Sequence, residues 1–332
     1  MYMGMLDVHE DKIGSFLSRK VCFNVPVYQR PIAWTEKEWD DIFQDVKNLG
    51  NEDIHFIGPL VLVSENKYDD SGIEYFQVID GQQRLTTILI WLSAIRDLAK
   101  DEKDDGLVQH IEGYLFSENY QNNKIVKIPK LILGKLDHDA FLEVLNNGNK
   151  DYDHLIFDCY NYFKSKVNSK DWTPILNNIH VVSINTPNFL NAFRLFETMN
   201  DRGLALSSVD LIKNYIFMKV ADNSKILQDT IIEWNNMYNK VSFDPDRFLR
   251  HYFMSNFRGK ITEKLLYPEM RKKLDKIEGY EILDFVKNLN AVASIYKKLH
   301  ENSFDSEDIN YKLENLKYVG NSSKLYIINI SF

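Results

Sequence analysis

Val78-Ile79-Asp80-Gly81-Gln82-Gln83-Arg84-Leu85-Thr86-Thr87 is the stretch on which the reading of this chain turns. The apolar run from Tyr75 to Ile79 predicts a buried strand, which stops at Asp80-Gly81. Beyond the glycine, Leu85, Ile88, Leu89, Leu92 and Ile95 recur at helical spacing and predict a helix from Gln83 to near Leu98. A strand therefore turns through one glycine into a helix, and the turn carries an acid, two amides, a guanidinium and two hydroxyls. A helix start offers free backbone N–H groups and the positive end of a dipole, a setting that suits phosphate. Gly81 lets a ligand approach the backbone closely, and Arg84 can fork onto an oxyanion. The plainer alternative is a wet turn, because Asp-Gly is a common turn pair. Capping, however, needs one short oxygen and not this cluster. Neither G-x-x-x-x-G-K-[ST] nor G-x-G-x-x-G lies nearby.

Working outward, Val21 to Val27 reads as a strand closed by Pro26 and Pro31. The segment Pro26-Val27-Tyr28-Gln29-Arg30-Pro31 is expected to be extended, since a residue before proline is pushed out of helical space. Thr35-x-x-Glu38 is a capping box, followed at helical intervals by Trp39, Ile42, Phe43, Val46 and Leu49. Phe56 to Val63 reads as a short strand with Gly58-Pro59 near its start, joined by a loose charged connection, Glu65 to Gly72, to the strand that delivers Asp80. Leu107 to Trp172 is weakly helical in pattern, and Ile179 to Ile184 reads as a strand. Phe189, Ala192, Phe193, Phe196 and Met199 predict an amphipathic helix stopped by Gly203, and Ser207-x-x-Asp210 restarts one through Phe217. Beyond Ala221 four further helices are expected, at Ile226–Tyr238, Asp246–Met254, Leu265–Leu274 and Tyr280–His300. The last residues, Lys324 to Phe332, end in an apolar run, as in a chain cut short within a larger protein or covered by a partner.

Bulk properties bound the function. With 332 residues, 44% hydrophobic and 13% aromatic, the chain has core enough for two domains or one with an insertion. A net charge of −8 argues against non-specific duplex binding by the whole molecule, though not against a local basic channel. Cys22 and Cys159 are far apart without metal spacing, which points to a reducing, cytoplasmic setting. No signal peptide and no stretch of membrane-spanning length is evident.

The order of elements and several separate motifs carry a resemblance. An extended Pro-x-Tyr-Gln-Arg segment, a helix, a Gly-Pro strand, a strand into Asp-Gly-x-x-Arg and a helix resemble the ParB/sulfiredoxin-like nucleotide-handling fold. More closely, the Asp-Gly-Gln-Gln-Arg motif resembles the GmrSD-type restriction endonuclease N-terminal domain family. The blocks at 196–203 (Phe-Glu-Thr-Met-Asn-Asp-Arg-Gly), Leu206-Ser207-x-x-Asp210-Leu-Ile-Lys213 and Phe248-Leu-Arg-His-Tyr252 also resemble that family's later blocks. The resemblance implies an α+β fold. Its parts are a small mixed sheet with packed helices over residues 1–220, a helical insertion at about 107–175, and an all-α region over 221–332. It also implies a component of bacterial DNA restriction and phage defence that binds and hydrolyses a nucleoside triphosphate, and a triphosphatase of that kind needs Mg2+ or another divalent ion. A C-terminal HNH-type nuclease domain often follows in that family. Here the eight histidines (9, 55, 110, 138, 154, 180, 251, 300) are scattered, so no such metal site is read in this chain.

Each candidate residue has two readings. Asp80 holds the metal or orients Arg84, or it is a turn aspartate. Arg84 stabilises charge developing on a phosphate, or it ties the helix to a strand by an ion pair. Gln82 and Gln83 position water or a base edge, or they are a solvated helix start. Asp80, Gln83 and Arg84 form the expected catalytic set. Tyr28, Gln29, Arg30, Gly81, Gln82, Thr86, Thr87, Asn200 and Arg202 form the expected nucleotide-binding set, with one of Thr86 and Thr87 facing the core. Tyr28 to Arg30 sit on a proline-flanked loop that could stack a base and add a cation, or be a tether. His55 is a site acid or base, or structural. Asp210 and Lys213 fit a capping acid and a surface lysine. Arg250 and His251 are candidate nucleic-acid contacts. Three functions remain open at this point: a nucleoside triphosphatase in a restriction system, a nuclease acting on modified DNA, and a nucleotide-gated module that binds DNA or a nuclease partner without turnover.

Overall fold

The computed structural model describes residues 7–26, 29–50, 53–121, 124–146, 153–189, 191–192, 195, 207–257 and 261–318. The fold is α+β, with a six-stranded mixed sheet and packed helices followed by an all-helical region. The chain divides into two compact units, residues 1–192 and 193–332.

The first unit opens with β1 (Asp7–Lys12), α1 (Ile13–Ser18) and β2 (Val21–Asn24). The Thr35–Glu38 capping box forms as expected and starts α2 (Glu36–Lys47), with the Glu38 carboxylate 2.8 Å from the Thr35 amide. Then come β3 (His55–Tyr68), β4 (Glu74–Asp80) and α3 (Gln82–Asp101). Next are α4 (Asp105–Leu115), the hairpin β5 (Phe116–Gln121) and β6 (Lys124–Pro129), β7 (Leu131–Ile132), α5 (Lys135–Asn146), α6 (Leu155–Lys164), α7 (Trp172–Asn178) and β8 (Ile179–Thr186). The strand order is β1-β8-β3-β4-β2-β7. β8 runs antiparallel to β1 and parallel to β3, β4 is antiparallel to β3, and β2 is parallel to both β4 and β7.

Sixteen of the twenty residues of α3 are buried, so it is a central helix and not an amphipathic surface one. It packs against α4, α5, α6 and α7. The Trp91 ring stacks on Phe163 of α6 at 4.9 Å and meets Phe43 of α2 at 5.4 Å. Burying each such side chain contributes about 1.5–3 kcal/mol, which explains why a helix with so little polar surface is stable. Arg96, itself fully buried, donates to the Leu145 and Val144 carbonyls at the end of α5 and to Asp97 at 2.8 Å. Arg96 thereby satisfies two of the carbonyls that the last turn of a helix leaves without an intrahelical partner.

Three expectations change. Val21 to Val27 was expected as the first element, but among the described residues β1 and α1 precede it; β1 reads Asp-Val-His-Glu-Asp-Lys, a charged edge strand without an apolar face. The span read as weakly helical contains the β5–β6 hairpin, whose strands pair from Phe116–Pro129 to Gln121–Lys124. β3 runs on to Tyr68, through residues read as a loose connection. The turn itself is Asp69 to Gly72, where the Asp69 carboxylate accepts the Ser71 and Ile73 amides, both at 2.9 Å.

The second unit contains α8 (Ser208–Val220), α9 (Ser224–Lys240), α10 (Pro245–Phe257), α11 (Glu263–Leu274), α12 (Tyr280–Glu301) and α13 (Glu307–Tyr318). The four helices expected beyond Ala221 are all present within these bounds. α9 and α12 form its main packed pair, and Trp234 of α9 meets Phe217 of α8 edge-on at 6.2 Å. The helix expected over Phe189–Met199 lies largely outside the described residues. No helix among the described residues is long and apolar enough to cross a membrane.

Candidate functional site

Two breaks in strand pairing shape the junction between β4 and α3. On β4, Asp80 pairs with Val61 but Val78 pairs with Leu62, so Ile79 is the extra residue of a bulge. On β3, Phe56 pairs with His180 while Pro59 pairs with Val182, so Ile57 and Gly58 stand opposite one residue of β8. Gly58 takes φ +105° there, and Pro59 has no N–H to lose. Side chains of the site use carbonyls at both bulges. Gln29 donates to the Ile79 carbonyl at 2.9 Å, and Arg84 reaches the Ile57 carbonyl at 3.4 Å.

Gly81 follows as the N-cap of α3 at φ +99°, a conformation that favours glycine. A Cβ there would lie 2.1 Å from Leu60 Cδ2. As N-cap it supplies no side-chain oxygen to the helix start. The start of a 20-residue helix thus keeps its positive end clear of a capping side chain.

Arg84 donates to Asp80 Oδ2 at 2.9 Å across one helical turn; the two side chains are 17% and 29% exposed. A Cβ on Gly58 would lie 2.1 Å from Arg84 Nη1, so the missing side chain makes room for the guanidinium. The pair is half-open to solvent and held in place by β3.

The two glutamines do not form a solvated helix start. Both are buried and face the chain after Pro26. Gln83 Oε1 accepts the amides of Ala33 at 2.9 Å and Trp34 at 3.1 Å, while its Nε2 donates to the Pro31 carbonyl at 3.2 Å. Gln82 Nε2 donates to the Arg30 carbonyl at 2.6 Å, and its buried Oε1 has no hydrogen-bond partner among the described residues. Between these contacts, the Ile32 amide donates at 2.9 Å to Asp137 Oδ2 of α5. Asp137 is 5% exposed, and burial pushes its carboxyl above the ordinary carboxylate range. His154 Nε2 lies 3.5 Å from its other oxygen. Side chains from β4–α3 and from α5 therefore clamp the loop. Arg30, which that loop carries, is exposed, and its guanidinium has no ion pair or hydrogen bond among the described residues.

The remaining candidates separate. Thr86 and Thr87 are both buried inside α3, although only one was expected to face the core. Tyr28, Asn200, Arg202 and Gly203 lie outside the described residues. His55 sits at the start of β3 with Nδ1 3.7 Å from Asp45. Ser207 caps α8 by accepting the Asp210 amide at 3.2 Å; Lys213, expected on the surface, is buried and pairs with Asp210 at 2.9 Å. His251 is buried among the second unit's helices with Nδ1 3.0 Å from the Tyr296 hydroxyl. Burial there pushes its imidazole down to about 4, so it is no solvent-facing contact. Arg250 beside it is partly exposed, with a buried Nε that has no hydrogen-bond partner among the described residues.

Asp137 and Gly58 are the site residues that sequence reasoning missed. Gly58-Pro59 inside an apolar strand was a readable sign of a bulge. Asp137 had no local signal, because its partner Ile32 lies 105 residues away. Among the described residues no group of three His, Cys, Asp or Glu side chains could hold a metal ion, so a cation here would rest on Asp80 and on oxygens of a ligand. A separate cleft of about 1010 Å3, lined by Lys20, Ser71, Gln109, Phe116, Tyr120 and Lys130 among others, includes none of the predicted site residues.

A family model described as "GmrSD restriction endonuclease, N-terminal domain" matches residues 11–217, more than half of the chain and all of the junction above. No curated protein matches the chain.

Proposed function

This chain belongs to the GmrSD restriction endonuclease N-terminal domain family, and from that premise we propose that it binds and hydrolyses a nucleoside triphosphate at the β4–α3 junction. The family makes it a component of a bacterial restriction and phage-defence system, in which interaction with DNA is expected. One observation carries the finer reading. The start of α3, without a side-chain cap, lies against a clamped loop bearing Arg30, and the Asp80–Arg84 pair spans that start. Phosphate oxygens suit backbone N–H groups at a helix start and two guanidinium forks. Mg2+ would be held by Asp80 together with phosphate oxygens. In hydrolysis a water oxygen bonds to the γ-phosphorus as the bond to the β–γ bridging oxygen breaks. Arg84 and Arg30 would offset the charge that builds up there.

A second reading, nucleotide-gated binding without turnover, is favoured by one fact. Gln83, the residue expected to orient water, already spends both amide atoms on the backbone of residues 31, 33 and 34. Titration with GTP, ATP and CTP plus magnesium, following both binding and phosphate release, separates the two. Release that falls roughly 100- to 1,000-fold in a folded Arg84→Ala variant supports hydrolysis at this junction. Binding without release supports the gated module, and unchanged turnover in that variant removes Arg84 from the mechanism. Nicking of plasmid DNA by the purified chain would support the nuclease reading instead.

A further inference from the structure

We propose that Asp137 is a positioning residue for the nucleotide site: its buried carboxylate, by accepting the Ile32 amide, fixes the loop that presents Arg30 to the ligand. The inference rests on the reading of the β4–α3 junction as a triphosphate site.

The loop has little means of fixing itself. Pro26 and Pro31 lack amide hydrogens, and among the described residues the one hydrogen bond from backbone to backbone at this point is Gln29 to the Pro26 carbonyl at 2.9 Å. Its own Gln29 side chain adds a bond to the Ile79 carbonyl at 2.9 Å, and the other anchors are side chains from elsewhere. Gln82 and Gln83 take the groups of Arg30, Pro31, Ala33 and Trp34 from the motif side. The middle amide, on Ile32, is left to α5, and Asp137 takes it at 2.9 Å. Ile32 is itself buried, so without Asp137 its N–H would have no water to turn to. A buried carboxylate is costly unless hydrogen-bonded, and Asp137 has this amide on one oxygen and His154 near the other. Anchors from two separate helices, α3 and α5, restrict the loop more than either alone. A cation held on a fixed loop loses less entropy when it meets a phosphate. Asp137 therefore acts on binding through Arg30 and does not touch the ligand.

The test compares Asp137→Ala with Asp137→Asn, whose amide oxygen can still accept from Ile32. Three quantities are read on the intact chain: amide hydrogen exchange at Ile32 to Trp34, KM and kcat for the magnesium triphosphate that the wild type turns over, and the unfolding midpoint. Asp137→Ala is expected to speed exchange and to raise KM about tenfold, the scale of one lost hydrogen bond, with kcat within about threefold. Asp137→Asn is expected to restore both. If Asp137→Ala fails to fold, Asp137→Ser, polar but too short to reach Ile32, takes its place. Unchanged exchange overturns the clamp, and faster exchange with unchanged KM overturns its service to the site. Equal defects in the Asn and Ala variants overturn the hydrogen bond as the cause. If the wild type binds nucleotide without turnover, Kd takes the place of KM. If it binds none, the triphosphate reading falls and the role given to Asp137 falls with it. Exchange at Ile32 still reports whether the loop is held.

Discussion

Gly58 and Arg84 occupy one space: a Cβ on the glycine would lie 2.1 Å from the guanidinium Nη1. Arg84 is the longer and more flexible of the two, yet it is not free to yield, because Asp80 and the Ile57 carbonyl hold it. Gly58→Ala is therefore expected to act as an arginine mutation at a distance. It forces an alanine to φ +105° at a cost of about 1–3 kcal/mol and pushes Arg84 off Asp80. Urea unfolding and phosphate release together check this. A Gly58→Ala protein as stable and as active as the wild type would show that neither the backbone nor the guanidinium is constrained there.

Gln83 should prove more important for the fold than for the chemistry. Gln83→Ala leaves the amides of Ala33 and Trp34 without their acceptor, and about 1–3 kcal/mol of stability is expected to go with it. Gln83→Glu keeps the acceptor for both amides but sets a carboxylate oxygen against the Pro31 carbonyl, so it should recover part of that loss. Chymotryptic cleavage after Trp34 reports the same event locally and should accelerate in the alanine variant alone.

The second unit should weaken in mild acid through His251. Burial holds its imidazole at about 4 against 6.5 for the unfolded chain, so the unfolded state takes up the proton first. The neutral histidine's contribution is complete above pH 6.5 and is lost as pH falls through about 4, amounting to about 3 kcal/mol. Urea midpoints between those pH values should fall in the wild type. A non-titrating His251→Gln variant should lose that slope, whatever its absolute stability.

Neither thiol should react in the native protein. Burial pushes Cys22 up to about 12 and Cys159 well above the ordinary thiol range, and the thiolate is the reactive form. A colorimetric thiol reagent at pH 8 should find both only after urea is added. Rapid labelling of one without denaturant would mean that its side of the core opens.

How far the sequence could be read follows from where each signal sits. The β4–α3 junction was legible because strand and helix periods meet at a glycine, and α2 because Thr35 and Glu38 lie three apart. β1 was not legible, since an edge strand of Asp, His, Glu and Lys has no apolar alternation to detect. The hairpin within residues 107–175 was missed because both Tyr120 and Ile125, paired across it, are exposed and give no core-facing pattern. Within the site, residue types were readable but their commitments were not. Gln82 and Gln83 look like free amides in sequence and are occupied by a loop about fifty residues earlier, just as Asp137 is occupied by Ile32.

The central position of α3 dictates an order of assembly. The ribosome releases this helix before α4, α5, α6 and α7, the helices that later cover it, and before β8, which joins β1 to β3 and so closes one side of the sheet. Until then the faces of α3 that α4, α5, α6 and α7 cover are open, and transiently exposed apolar surface of that kind is prone to aggregation. The Asp80–Arg84 junction is thus translated early and matures late. A ribosome stalled before residue 186 would display the whole motif without a finished site.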